Sequence, residues 1–230
     1  MEQYPLDAIS PETFFNTGND LQLYTNSFYN MLPSAGGVYN EAIDNVVKQD
    51  LADELQGGSR RLVPASGGGW SWGNLRNINF YLQNSSKCKD ENARTRYDAV
   101  ARFFRAYFYF DMVKRFGDVP WYSEVISDTV VLDSVMADIN YAIDHLPEVK
   151  TVNEISRWTA LALKSRICLF EGTFRKYHTE FKLPEYEAFL DNAIAASKEL
   201  IERSGYKLYN TGHPESDYLN LFASLNANED

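Results

Sequence analysis

Apolar residues recur at helical spacing along most of the chain, and this pattern predicts a succession of amphipathic helices. The first predicted helix begins at the Ser-Pro-Glu of residues 10–12, which supplies an N-cap, a proline for the first turn and an acid at the positive end of the helix dipole. It continues to Pro33, and residues 41–56 predict a second or partial helix. An irregular stretch at 57–69 contains clusters of glycine, and a helix through residues 75–82 follows it.

From residue 93 onward the predicted helices are regular and closely spaced. They cover about 93–116, 132–146, 157–177 and 184–204. Consecutive helices of this length with short links are typical of antiparallel helical hairpins. No strict sequence repeat of tetratricopeptide length is present, so tetratricopeptide-like packing is indicated by the helix pattern alone. We therefore predict an all-α fold, an α-α superhelix of tetratricopeptide-like antiparallel hairpins with an irregular glycine-rich loop region.

The stretch at 101–122 is the most aromatic part of these helices. Its rings occupy two neighbouring helix faces, with Phe103, Tyr107 and Phe110 on one and Phe104 and Phe108 on the other. A helix that is apolar over most of its circumference must be covered on several sides, so we expect these rings to lie in the core. Arg102 and Arg105 mark the remaining polar strip, and Gly117 can take the left-handed cap just before the helix-breaking Pro120.

The bulk composition excludes several classes of protein. Hydrophobic residues make up 44% of the 230 residues and aromatic residues 14%, too many for a disordered chain. The formal charge is −10, from 22 basic and 32 acidic residues, and no basic run is present. Nucleic acid and anionic membrane are therefore not expected as partners. No apolar stretch reaches the roughly 20 residues that span a bilayer.

Residues that could bind a metal or carry out catalysis are scattered. Cys88 and Cys168 form no Cys-x-x-Cys pair and the three histidines are isolated, so we predict no metal and no cofactor, and a disulfide is the less favoured state. Asp50, Asp53 and Glu54 lack the alternating oxygen ligands and the turn glycine of a calcium loop. Neither a nucleophile elbow nor a phosphate loop is present, so no catalytic residue is assigned.

The segment from Arg105 to Pro120 reads R-A-Y-x-Y-F-D-x-V-x-R-F-G-D-V-P, which is similar to the signature of the SusD (RagB/SusD) family. The RWTALALK opening at 157–164 and the GYKL at 205–208 also resemble this family. Essentially the whole chain resembles an N-terminal portion of such proteins.

We divide this portion into N-terminal helices at 1–92 with the loop 57–74, tetratricopeptide-like helices at 93–210, and the start of a further part at 211–230. Within the family signature, the two aspartates, Asp111 and Asp118, are expected to cap the following turn or to pair with Arg105 or Arg115.

The resemblance implies a function as well as a fold. SusD-family proteins are lipid-anchored at the surface of Gram-negative bacteria, where they capture nutrients and act as lids over SusC-type TonB-dependent transporters. It therefore implies a non-catalytic oligosaccharide-binding protein of the outer membrane, with membrane contact only through a lipid anchor. A signal peptide and a lipid-attachment cysteine are expected upstream of Met1, and further sequence is expected downstream of Asp230.

The loop at 57–74 contains the groups that sugar recognition requires. Aromatic planes stack on the apolar faces of pyranose rings, and planar polar groups pair with adjacent hydroxyls. The candidate ligand-binding residues are Arg60, Arg61, Trp70, Trp72 and Asn74. The resemblance supports this choice, because loops of this region share in forming the glycan site of the family. It also matches Trp72 to a tryptophan that opens a core helix, so a structural role for Trp72 is the alternative.

Two other functions stay open from the residues alone. All-helical glycoside hydrolases also have aromatic-rich grooves, but they require two carboxylates about 5–10 Å apart across a cleft, and the sequence identifies no such pair. A helical-repeat scaffold that binds peptides or proteins is the second alternative.

Overall fold

Helices build the described part of the chain, which in this computed structural model comprises residues 14–33, 68–121 and 128–223. No β-sheet is present among these residues, and the all-α prediction is confirmed. The chain divides into two compact units, Met1–Asp90 and Glu91–Asp230.

The first unit contains two α-helices within its described residues. They are α1 (Gly18–Asn26), followed by a 3-10 turn at Ser27–Met31, and α2 (Gly73–Asn84), followed by a 3-10 turn at Ser85–Lys87. The position of α2 confirms the helix predicted through 75–82. The predicted helix at 41–56 and the predicted helix start at 10–12 lie outside the described residues.

The start of α1 corrects the prediction of one continuous helix up to Pro33. Residues 14–17 are not helical, and Phe15 has a positive φ of 71°. Thr17 caps the helix instead: its hydroxyl accepts from the Asp20 N–H at 3.2 Å, and the Asp20 carboxylate accepts from the Thr17 N–H at 2.9 Å. This reciprocal capping box overrides the apolar spacing that extends the predicted helix toward residue 10.

The core of the first unit explains the unusual backbone of Phe15. Its side chain is fully buried, and its ring centre lies 5.0 Å from that of Tyr24, 5.8 Å from Phe80 and 6.1 Å from Tyr81. A left-handed backbone persists at a side-chain-bearing residue only where the surroundings enforce it. Packing against α1 and α2 therefore fixes the conformation that ends the predicted helix early.

Within its described residues the second unit is a run of five α-helices. They are α3 (Glu91–Phe116), α4 (Asp128–His145), α5 (Arg157–Tyr177), α6 (Tyr186–Arg203) and α7 (Pro214–Ala223). Each of α4, α5 and α6 packs against the helix before it, as in helical hairpins with short links. The bounds of α3 to α6 follow the prediction closely. The sequence analysis did not identify α7, although Pro214 and Glu215 in its first turn are typical of a helix start.

The aromatic rings of α3 lie in the core of this unit, as predicted. The buried rings are Phe103, Phe104, Phe108, Tyr109 and Phe110. The helix ends at Gly117, whose φ is 71° and whose N–H donates to the Val113 carbonyl at 2.9 Å. Beyond the cap, Trp121 stacks on Tyr109 with ring centres 4.4 Å apart. The most aromatic stretch of the chain is therefore a structural element.

The polar strip of α3 faces α4. Arg105 donates to both carboxylate oxygens of Asp138, with Nε–Oδ2 at 2.6 Å and Nη2–Oδ1 at 2.8 Å, and Arg102 donates to Oδ1 at 3.2 Å. Asp138 is 2% exposed, so two guanidinium groups neutralise a buried carboxylate. The partner Asp138 was not predicted, and Asp111 of the family signature pairs with Lys114 at 3.3 Å.

The start of α5 anchors the turn that precedes it. The Trp158 indole N–H donates to the Glu148 carbonyl at 2.7 Å, and Arg157 pairs with Glu199 of α6. Farther along, α5 and α6 approach so closely at Gly172 that an added Cβ would lie 2.7 Å from Leu190. These contacts explain why an Arg-Trp pair opens α5 and why a glycine lies within it.

Candidate functional site

A glycine turn positions the first two candidate residues ahead of α2. Gly68 and Gly69 have φ of 61° and 96°, a region that side-chain-bearing residues rarely adopt. The Ser71 N–H donates to the Gly69 carbonyl at 2.8 Å and closes the turn around Trp70. The chain then enters α2, where the Trp72 carbonyl accepts a helical hydrogen bond. The end of the glycine-rich loop thus fixes both tryptophans relative to one helix.

The two indole rings stack on each other. Their centres lie 5.7 Å apart and their planes are inclined by 27°. Trp70 is 36% exposed, whereas Trp72 is half-buried at the N-cap position of α2. Trp72 therefore has the structural position given above as its alternative, and its ring also backs the ring of Trp70. Together they form one aromatic platform, which we call the tryptophan pair.

Polar groups accompany the tryptophan pair. Asn74 lies exposed in the first turn of α2, and its carboxamide can both donate and accept hydrogen bonds. The first backbone N–H groups of a helix have no intrahelical acceptor and add further donors at this end. Arg60 and Arg61, the other two predicted site residues, lie outside the described residues.

Buried carboxylates in the described ranges are engaged in structural contacts. Besides the Asp138 cluster, Glu171 binds the buried Arg175 at 2.6 Å, and Asp217 accepts from both the N–H (3.1 Å) and the hydroxyl (2.5 Å) of Thr211. Among the residues that the structure describes, no group of three or more metal-binding side chains is assembled. These acids hold elements together.

The two cysteines are free and buried. Burial raises the pKa of the Cys168 thiol to about 11, so this thiol is protonated and unreactive at neutral pH. Within the described ranges, no helix combines the length and the apolar character needed to cross a bilayer.

A groove of about 640 Å³ runs between α5 and α6. Its apolar lining is aliphatic and includes Leu169, Leu190, Ile194 and Ile201. Because no aromatic ring lines it, this groove lacks the stacking surface that a pyranose requires.

The sequence prediction missed a second exposed aromatic cluster, at the link between α5 and α6. The Phe174 ring lies 4.6 Å from the His178 ring and 5.5 Å from the Phe181 ring, and Phe181 is 59% exposed. The three residues have i, i+4 and i+7 spacing, which was the available signal. That spacing also continues the apolar stripe of α5, so it favours a core assignment from sequence alone.

Curated relatives support the family resemblance, although no family model matches the chain. One SusD-like protein of Formosa agariphila is 27% identical over 205 aligned residues, which cover 76% of this chain and 41% of that protein. A second SusD-like protein of the same organism is 23% identical over 213 aligned residues, with 76% and 40% covered. The chain is SusD-like. It spans about two fifths of the length of these SusD-like relatives.

Solved structures agree with this SusD-like assignment at the level of the fold. A SusD-like protein of Bacteroides fragilis has a TM-score of 0.61 and 21% identity, over 90% of this chain and 42% of that one. A protein crystallised with a xylogluco-oligosaccharide has a TM-score of 0.51 and 22% identity, over 60% of this chain and 30% of that one. The predicted tetratricopeptide-like helical fold is thereby confirmed.

Proposed function

We propose that this SusD-like chain is part of a non-catalytic nutrient-binding protein of the cell surface, which captures an oligosaccharide for a SusC-type TonB-dependent outer-membrane transporter. The observation that carries the proposal is the tryptophan pair, a partly exposed indole backed by a second indole 5.7 Å away. A neighbour in fold that was crystallised with a xylogluco-oligosaccharide supports a sugar as the ligand.

The tryptophan pair binds sugar by stacking. The apolar face of a pyranose ring lies on the exposed indole of Trp70, while Trp72 keeps that indole in place from behind. The carboxamide of Asn74 pairs with hydroxyls at the ring edge, and Arg60 and Arg61 supply further planar donors from the loop. Because the indoles are stacked on each other, they offer one platform, and this part of the site accepts one sugar ring.

Binding without catalysis is consistent with the described carboxylates. Glycoside hydrolysis requires two carboxylates free to donate and accept a proton across a cleft. Asp138 and Glu171 are instead bound to guanidinium groups, and Asp217 is bound to Thr211. The second function, a hydrolase, therefore finds no support among these acids.

The transporter lid is the cellular role that we infer for this protein. A lid must release its ligand inward, so modest affinity from one stacked ring and a few hydroxyl hydrogen bonds is sufficient. The tetratricopeptide-like helices provide the scaffold, and a lipid anchor holds the protein at the outer membrane. No nucleic acid and no cofactor takes part.

Calorimetric titration of the complete polypeptide with xylogluco-, malto- and xylo-oligosaccharides tests the binding site. Trp70→Ala should weaken binding of the preferred sugar by about tenfold, because removing a stacked ring costs about 1.4 kcal/mol. Tyr218→Ala, which removes an exposed ring from the second unit, is the matched control and should bind like the parent. Equal affinity of Trp70→Ala and the parent would disprove the site.

The transporter partnership needs a separate experiment. The tagged polypeptide should co-purify a TonB-dependent barrel from outer membranes of its host, and deletion of its gene should abolish growth on the bound glycan. Unchanged glycan uptake after deletion would refute the lid role while leaving sugar binding intact.

The groove between α5 and α6 favours a second candidate, a scaffold that binds protein. Ile194 and Ile201 in its lining are 64% and 74% exposed. Ile194→Asp should abolish capture of a protein partner and leave sugar titrations unchanged if this groove is the functional surface.

A further inference from the structure

A stack of four aromatic rings runs from the core of the second unit to its surface at the α5–α6 link. Phe110 meets Phe170 edge to face at 5.7 Å, Phe170 stacks on Phe174 at 6.1 Å, and Phe174 stacks on Phe181 at 5.5 Å. Phe110 is 6% exposed and Phe181 is 59% exposed. The exposed ring at the end of the stack is thus supported from beneath by three others.

A buried arginine holds the link that carries this ring. Arg175 is 4% exposed, binds Glu171 through Nε at 2.6 Å and donates from Nη1 to the Pro184 carbonyl at 2.6 Å. Within the link, Lys182 and Glu185 have φ of 53° and 67°. Side-chain-bearing residues hold such conformations only where neighbours enforce them, and this type of strain gathers at ligand-binding segments. The link is therefore pre-organised.

Hydrogen-bonding groups flank the exposed ring. The His178 Nδ1 atom lies 3.0 Å from the Glu180 Oε1 atom, with side-chain exposures of 50% and 61%. A hydrogen bond from its own backbone, together with the His178 side chain, lowers the pKa of the Glu180 carboxyl. An aromatic plane with a carboxylate and an imidazole beside it can bind the face and the edge of one sugar ring.

We propose that this cluster of Phe174, His178, Glu180 and Phe181, the link platform, is a second carbohydrate-binding site. It stacks one pyranose ring of an oligosaccharide on Phe181, and Glu180 and His178 bind the hydroxyls at the edge of that ring. The mixture of aromatic and hydrogen-bonding groups distinguishes it from the aliphatic groove between α5 and α6, which suits a polypeptide. This inference rests on the proposed oligosaccharide-binding function, but it uses residues of the second unit alone.

An introduced thiol can report on access to the link platform. Cys88 and Cys168 are buried, so Thr179→Cys adds an exposed thiol between His178 and Glu180. Maleimide labelling of this variant of the complete polypeptide is followed with and without xylogluco-, malto- and xylo-oligosaccharides. At least one sugar should slow labelling. Adding Phe181→Ala should raise the sugar concentration needed for half protection by about tenfold, whereas Phe181→Tyr, which keeps the ring, should preserve it.

The remaining arms separate the alternatives. Tyr218→Ala should leave the protection unchanged, because that exposed ring lies outside the link platform. The proposal is overturned if no sugar slows labelling, if Phe181→Ala is protected like the parent, or if labelling is slow before sugar is added, which would mean that another polypeptide segment covers the face. Trp70→Ala distinguishes the two sites: sugar protection at residue 179 should persist in this variant. Loss of calorimetric binding in Trp70→Ala without any protection at residue 179 would refute the link platform alone.

Discussion

Replacing Asp138 by asparagine tests the central electrostatic contact of the second unit. The substitution keeps the size of the side chain and removes its charge. Asp138 is 2% exposed and accepts three hydrogen bonds, at 2.6 and 2.8 Å from Arg105 and at 3.2 Å from Arg102. In the variant, two guanidinium groups between α3 and α4 lose their counter-charge.

The expected loss of stability follows from the burial of each partner. Removing one member of a buried ion pair typically costs about 3–5 kcal/mol, because the other charge stays buried without compensation. Arg105 is 17% exposed and Arg102 is 35% exposed, so water solvates part of the charge that remains, and the Arg102 contribution in particular is screened. We therefore expect the lower end, about 3 kcal/mol. For a chain of this size that corresponds to a fall in Tm of about 6–12 °C.

Urea unfolding followed by far-ultraviolet circular dichroism measures this loss. Asp144→Asn is the matched control, since Asp144 is an exposed aspartate of the same helix, and it should stay within about 0.5 kcal/mol of the parent. If Asp138→Asn also unfolds within about 0.5 kcal/mol of the parent, the buried cluster does not stabilise the α3–α4 contact and our reasoning is wrong.

Three further predictions concern local contacts. Gly172→Ala should lower the free energy of unfolding by about 1 kcal/mol in the same urea assay, because overpacking against Leu190 at 2.7 Å outweighs the better helix propensity of alanine. The Cys168 thiol, with a pKa of about 11, should resist a disulfide reagent at mildly alkaline pH until the chain is unfolded. The Glu180 carboxyl should titrate below its ordinary pKa by NMR, and His178→Gln should raise that pKa, so that any stabilisation from this carboxylate is present above its unfolded pKa and is lost as the pH falls through the folded value.

Each of these three predictions has a clear contrary result. Gly73→Ala meets no atom within 4 Å and should be neutral or slightly stabilising, so equal losses at positions 73 and 172 would refute the packing argument. Rapid labelling of Cys168 in the native chain would show that its surroundings open. An unchanged Glu180 titration in His178→Gln would mean that the backbone hydrogen bond alone sets the pKa.

Helix bounds in the second unit could be predicted because their signals are local. Gly117 and Gly205 end α3 and α6 with positive φ, and the Pro147 that follows α4 cannot continue a helix. The start of α1 could not be predicted in the same way. Two local signals compete there, and burial of Phe15 against α2, far away in sequence, decides between them.

Contacts between helices and the shape of the candidate site were beyond sequence reasoning. The pairing of Arg105 with Asp138 joins residues 33 positions apart, and nothing in the local pattern of either helix selects the partner. Trp70 and Trp72 could be named from the sequence, but alternate residues of an extended chain point in opposite directions. Only the turn with positive φ at Gly68 and Gly69 brings the two rings face to face.

The stacking of Trp70 on Trp72 also has an optical consequence. Two indoles held 5.7 Å apart with planes inclined by 27° interact through their electronic transition dipoles, so their near-ultraviolet spectrum depends on the mutual angle of the rings. A sugar that settles on Trp70 and shifts this angle would change the circular dichroism of the pair. The other two tryptophans, Trp121 and Trp158, are held by Tyr109 and by the Glu148 carbonyl and contribute a constant background. Occupancy of the site should therefore be readable from the unlabelled protein by its own chromophores.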